Sequence, residues 1–324
     1  MKRREFITLV GVVAVVSRSV RAQQPAPVVG FLYDGPPEPD GKRVAAFRKG
    51  LSDLGYVDGR NVAIEFRWAG KEDQLAGLAA DLVRRKAAVI ATPVSTQATL
   101  AAKAAAATTP IVFAVGGDPV ALGLVASLNR PGGHITGISI LNVELMPKRL
   151  GLLRELAPHA TRFGALVNPE TAFTPAVIKS LQGGAQALEL QIEVFRASTD
   201  GEIEASFVEI SQRPGGALLL GPDAFFTSRS ALITALAARH SVPTLYVIRE
   251  FAAAGGLISY GPDIVNVCEK VGRYAGQILA GKEPADLPVV QSEKFEMVIN
   301  LRAAKALGLS VPPTLLATAD EVIE

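Results

Sequence analysis

Short apolar runs alternate with amphipathic stretches along almost the whole chain. VVGFLY (28–33), NVAIEFR (61–67), AAVIAT (87–92), PIVFAV (110–115) and ITGISI (135–140) predict strands. Between the early runs, Val44, Phe47, Leu51 and Leu54 step by three and four before Gly55, which predicts a helix with a C-terminal stop. Leu75, Leu78, Ala79 and Leu82 repeat the step, and STQATLAAKAAAAT is rich in alanine, the best helix former. In NVAIEFR, Val62, Ile64 and Phe66 alternate with Ala63, Glu65 and Arg67, so this strand has one wetter face and belongs near a sheet edge.

A second series follows. A helix over 144–157 precedes the strand RFGALVNP, a helix over 173–188, the strand QIEVFRA and a helix over 200–212. GALLLGPD, a helix over 228–240 and PTLYVI continue it. Strand–helix alternation with buried apolar strands predicts an α/β fold of doubly wound parallel sheets, and two series predict two Rossmann-like lobes. GLISYG, a helix over 263–280 and KFEMVINLRAAKALGL are too few for a third core, so they complete the earlier lobes. The expected organisation is 26–140 plus 254–284 in an N-terminal lobe and 141–253 plus 285–324 in a C-terminal lobe. Several crossings then make a multi-strand hinge and a clamshell. Tandem independent Rossmann domains are disfavoured, because no Pro/Gly/Ser-rich linker separates the series.

The start, MKRREFITLVGVVAVVSRSVRAQQ, departs from this pattern. Its apolar run, Phe6 to Val16, is too short for a membrane span of roughly 20 residues. Flanked by Lys2, Arg3 and Arg4, it reads as a signal peptide over residues 1–22, cut after Ala22. Arg3-Arg4 before Phe6 and Ile7 looks like the twin-arginine signature, and Arg18 and Arg21 close to the cut suit that route. The whole chain is +2; residues 1–22 carry five basic residues and one acidic, so the remainder is +2 − 4 = −2. That balance gives no electrostatic footprint for nucleic acid. The lone Cys268 excludes an internal disulfide and reads as a small core residue, on one helical face with Ile264, Val271, Ala275 and Ile278. No cysteine follows the cut to carry a lipid anchor, so a Gram-negative periplasm is expected to retain the protein.

In open parallel sheets, ligands sit beyond the carboxyl ends of the strands. Those ends carry Tyr33-Asp34-Gly35, Thr92 to Thr96, Gly116-Gly117-Asp118 and Thr136-Gly137 in the first lobe. In the second they carry Asn168-Pro169-Glu170, Gly221-Pro222-Asp223, Arg249-Glu250 and Ser259-Tyr260-Gly261. They contain no histidine or cysteine, and His134, His159 and His240 stand apart at no ligand spacing, so no metal is expected. There is no G-x-S-x-G, no phosphate loop and no G-x-G-x-x-G, so neither a nucleophile elbow nor a nucleotide cofactor is expected.

Capping of the helix near Ser95 needs one hydroxyl, yet Thr92, Ser95 and Thr96 supply three, at a helix end whose N–H groups and dipole favour a carboxylate. Asp118 either caps the helix starting at Pro119 or takes an ammonium; both can hold at once. Tyr33, Phe225, Tyr246 and Tyr260 are candidate walls, and Asn168, Asp223, Arg249 and Glu250 candidate polar groups of the second lobe. Together they suggest an amino acid or similar small zwitterion.

The segments AFRKGLSDLGYVDGRNVAIEFRWA, VGGDPVALGLVASLNRPGGHITGIS, PKRLGLLRELAP, REFAAAGGLISYG and KFEMVINLRAAKALGLSVPPTLLATADEVIE span most of the chain. On them the sequence resembles the ABC-transporter substrate-binding family related to tryptophan- and tyrosine-binding proteins. The resemblance implies a type I periplasmic-binding-protein clamshell, monomeric and without a cofactor. Such a protein closes on a small ligand and docks peripherally on an inner-membrane permease driven by an ATPase subunit. It further implies that the ligand's carboxylate and amino groups meet the loop Thr92–Thr96 and Asp118. One departure, Pro93 within ATPVST where many relatives carry an extra glycine or serine, bears on the pocket's shape. An exported enzyme would need a base–nucleophile pair among the strand ends, and none is present. A ligand-sensing module would need an output segment, and none is evident.

Overall fold

Two parallel sheets, each wound on both faces by helices, organise the chain. The computed structural model describes residues 26–37, 41–212 and 215–324, so the expected leader lies outside the described residues. The first series runs β1 (Val28–Tyr33), α1 (Lys42–Ser52), β2 (Ala63–Trp68), α2 (Leu75–Arg84), β3 (Val89–Thr92), α3 (Thr96–Ala105), β4 (Ile111–Val115) and β5 (Ile135–Ser139). The second runs α4 (Met146–Leu156), β6 (Arg162–Val167), α5 (Thr174–Ala187), β7 (Ile192–Arg196), α6 (Asp200–Ser211), β8 (Gly216–Leu220), α7 (Ala224–Ser228), α8 (Ser230–Arg239), β9 (Thr244–Tyr246), α9 (Arg249–Ala253) and β10 (Ile258–Pro262). The remainder is α10 (Ile264–Leu279), β11 (Val290–Gln291), β12 (Phe295–Asn300), α11 (Leu301–Ala306), α12 (Pro313–Thr318) and β13 (Glu321–Ile323).

The first sheet has the order β11-β5-β4-β3-β1-β2 and the second β13-β12-β10-β9-β8-β6-β7. The half-wet strand β2 takes the edge that its alternation predicts. Among the described residues all strand pairings are parallel except β10 with β12. Among the described residues no helix is long and apolar enough to cross a membrane.

The chain passes between lobes at 140–145, at Asp263 and at 292–294. These passages are tied together: Asp263 N–H donates to the Lys294 carbonyl at 3.0 Å and Ser292 N–H to the Ser139 carbonyl at 2.8 Å. The expected lobe boundaries need correction here. Ile258–Pro262, assigned from sequence to the first lobe, pairs with β9 and β12 in the second sheet. Val290–Gln291, assigned to the second lobe, pairs with β5 in the first. An apolar run states that a strand is buried but not which neighbour covers its edges.

Helix α10 buries Val267, Val271, Ala275 and Ile278 in the first-lobe core, while Ile264 and Cys268 join the cluster made mainly by the second lobe. Each large aliphatic of that face contributes about 1.5–3 kcal/mol when fully buried. Its approach to α1 is set by two glycines. A Cβ on Gly272 would stand 2.1 Å from the Phe47 carbonyl oxygen, and one on Gly50 2.1 Å from that of Glu269.

Candidate functional site

The carboxyl ends of the two sheets face each other across a narrow cleft. The first lobe contributes Tyr33 at the end of β1 and Asp34 after it, the β3–α3 turn, Gly116 after β4, and Ile140 and Asn142 after β5. The second contributes Thr171 and Phe173 after β6, Asp223 and Thr227 around α7, and Val247 and Ile248 after β9.

The β3–α3 turn is strained. Val94, a β-branched residue on the cleft wall, has φ 58°, in the left-handed region that such residues avoid. The strain brings α3 to the cleft by its N-terminus, where unpaired N–H groups and the dipole favour an anion. The three hydroxyls here have different jobs. Ser95 Oγ caps the helix, accepting from Ala98 N–H at 3.0 Å. Thr92, expected at the ligand, is fully buried with its Oγ1 2.8 Å from Thr99 Oγ1, and it does not line the cleft. Thr96 is 7% exposed and lines the cleft, and its Oγ1 has no hydrogen-bond partner among the described residues.

Asp223 lines the opposite wall. Its carboxylate accepts from Thr171 Oγ1, from Asn168 Nδ2 at 3.2 Å and from Phe226 N–H at 3.2 Å. Burial raises its pKa above the ordinary carboxylate value, outweighing these three donors, which lower it. Asn168 therefore acts through Asp223, its Oδ1 being taken by Glu170 N–H at 3.0 Å.

Arg43, on α1, bridges the lobes. Its Nη1 donates to Tyr33 Oη at 2.5 Å and its Nη2 to Glu250 Oε1 at 3.0 Å. Burial pushes the Tyr33 hydroxyl up to about 12, against the opposing pull of Arg43. A second interlobe bond joins Gln97 Nε2 to the Glu170 carbonyl at 3.4 Å. Beyond Arg43 and Glu250 the cleft continues into a larger hollow walled by Phe31, Tyr33, Trp68, Pro36 and Pro93. There the Tyr33 and Trp68 rings meet edge to face at 5.9 Å.

Four further expected site residues stand elsewhere. Asp118 is exposed and its carboxylate accepts from Val120 N–H at 2.8 Å, so it shapes its own turn. Tyr246 is fully buried, stacked on Phe251 at 4.9 Å in the second-lobe core. Tyr260 is buried against Phe295, and its hydroxyl accepts from Lys148 Nζ at 2.6 Å. Both tyrosines sit on strands whose side chains alternate, and their parity points them into the core. Arg249 turns outward to Glu321, at 2.6 Å. Phe225 borders an outer extension of the cleft, beneath the Arg229 guanidinium at 4.0 Å. Thr136 and Gly137, read as a strand end, lie inside β5.

Sequence reasoning missed Arg43, Asn142, Thr171, Phe173 and Thr227. Extending the search three to six residues past each strand would have reached Asn142, Thr171 and Phe173. Arg43 sits within a helix, where no strand-end rule looks.

The chain belongs to the family of ABC transporter substrate binding proteins, whose pattern matches residues 40–323. The tyrosine-binding protein of Clostridioides difficile (strain R20291) is 28% identical over 270 residues, covering 83% of this chain and 77% of that one. A conserved domain protein from Vibrio cholerae superposes with a TM-score of 0.85 at 26% identity, over 92% of this chain and 100% of its own. The ABC domain from Streptococcus pneumonia, solved in complex with L-Trp, also gives 0.85, at 24% identity over 92% and 100%. The fold is that of type I periplasmic binding proteins.

Proposed function

We propose that this protein is the exported receptor of an ABC importer and closes on a small zwitterion of the amino-acid type. The observation that carries this reading is the pairing of opposite chemistries across one cleft. The α3 N-terminus with Thr96 suits a carboxylate, and the half-buried Asp223 suits an ammonium. The name of the clostridial relative supports an amino-acid ligand. The aromatic hollow beside Tyr33 and Trp68 offers room for a large apolar side chain. Once closed, the receptor delivers its ligand to an inner-membrane permease and its ATPase, acting as a monomer in the periplasm of a Gram-negative cell after loss of residues 1–22.

A thermal-shift screen of L-amino acids and small aromatic acids tests the ligand class. A ligand at 100 times its Kd adds roughly 2.7 kcal/mol of stability. A screen in which only neutral sugars or inorganic ions shift the transition contradicts the reading. For export, replacing Arg3 and Arg4 together with Lys should leave precursor in the cytoplasm, and normal processing of that variant would exclude the twin-arginine route.

A further inference from the structure

Arg149, on α4, is 0% exposed, and no acidic side chain lies among its hydrogen-bond partners. Its Nε donates to the Tyr260 carbonyl at 2.8 Å and its Nη1 to the Asn142 carbonyl at 3.2 Å. Met146 Sδ at 3.3 Å and the Val247 carbonyl at 3.5 Å complete the set, with Asn142 Oδ1 at 2.9 Å from Nη2. A buried guanidinium held only by neutral acceptors is an unbalanced charge, and burial depresses its pKa to about 9 against an opposing pull from Tyr260.

The bond to Asn142 has a directional consequence. Arginine offers donors only, so the amide atom facing Nη2 must be the oxygen. The other end of the amide is therefore Nδ2, an orientation fixed by the hydrogen-bond network. Asn142 is 9% exposed and lines the cleft, and its Nδ2 reaches within 3.2 Å of where a Cβ on Gly116 would stand. That amide has no acceptor among the described residues. Leu141, at φ 60°, holds the preceding backbone in the left-handed region and so fixes the turn that presents it. Thr96 Oγ1 borders the same space, also without a partner among the described residues.

We infer that Asn142 Nδ2, locked as a donor by Arg149, receives the anionic group of the ligand, with Thr96 Oγ1 beside it. The inference rests on the reading of the cleft as a zwitterion site. Arg149 is a positioning residue: it touches no ligand, but it forbids the amide flip that would offer an acceptor. Its uncompensated charge further favours an anion on the far side of Asn142. The subsite is thus specific for a carboxylate over a neutral amide of the same shape.

Calorimetry with L-tyrosine and L-tyrosinamide tests this, since the pair differs only in the carboxylate. Wild type should favour L-tyrosine by at least about tenfold. Asn142→Asp keeps the shape, gives Arg149 a counterion and puts an acceptor in the cleft. It should raise the melting temperature of the ligand-free protein and remove the preference, losing L-tyrosine by more than about tenfold while L-tyrosinamide changes less than about threefold. Arg149→Lys should retain part of the preference and Arg149→Met should lose it. Equal loss of both probes in Asn142→Asp, or no preference in wild type, overturns the subsite while leaving the zwitterion site standing. Failure of wild type to bind these probes or any other L-amino acid overturns both. A lowered melting temperature for Asn142→Asp contradicts the unbalanced charge independently of any ligand.

Discussion

Arg43 Nη2 lies 3.0 Å from Glu250 Oε1, one on the first lobe and one on the second, at the boundary between the inner cleft and its aromatic extension. The arginine is nearly buried, with a side chain 10% exposed, and the glutamate is 33% exposed. Such a pair is stronger than an open surface bridge and weaker than a fully desolvated one. It can form only when the lobes are together, so it acts on release.

Glu250→Gln should therefore raise the dissociation rate of a cleft ligand by about five- to thirtyfold, equivalent to about 1–2 kcal/mol, with a smaller effect on association. Stopped-flow fluorescence reads both rates. An unchanged dissociation rate means that this contact does not hold the closed state.

Asp223→Asn preserves the acceptor that caps α7 and removes the charge. Binding of an amino acid should weaken by more than about tenfold, at least 1.4 kcal/mol, whereas the deaminated analogue should be little affected. Asp118→Asn, at an exposed turn, should leave affinity unchanged. Equal losses in the two variants would move the ammonium site away from Asp223.

These two aspartates show how far the sequence could be read. Both follow strands and both precede or cap helical turns, so local pattern could not rank them. Which one faces the other lobe depends on closure, a relation between residues far apart in the chain. Elements with strong periodicity were legible: the buried face of α10 and the edge position of β2 follow from their spacing. β10 was misassigned because a strand buried on both faces carries no mark of its neighbours. Tyr246 and Tyr260 were misplaced because alternation gives two faces without saying which is the core. Arg149 lies within a quoted segment, PKRLGLLRELAP, but a charged residue in a helix reads as solvated until its burial is seen.

Glu296 supplies a pH dependence. Burial first, then the nearby Asp263 carboxylate, raise its pKa from 4.5 to about 7, while Arg249 opposes them. The folded state therefore holds this proton more tightly than the unfolded chain. Its stabilising contribution is full below about pH 4.5 and is lost as pH rises to about 7, a loss of up to about 3 kcal/mol. Glu296→Gln should be more stable than wild type at pH 8, with the gain shrinking towards pH 4.5. Melting curves across this range check it; a gain independent of pH would assign the effect to something other than titration.

The account's central claim is that the two lobes close on a small zwitterion between them. Small-angle scattering of the processed protein, with and without saturating L-tyrosine, tests it most directly. The account predicts that L-tyrosine lowers the radius of gyration and that Asp223→Asn requires higher concentrations for the same change. Binding of L-tyrosine with an unchanged radius, or a radius insensitive to every amino acid tried, would contradict it.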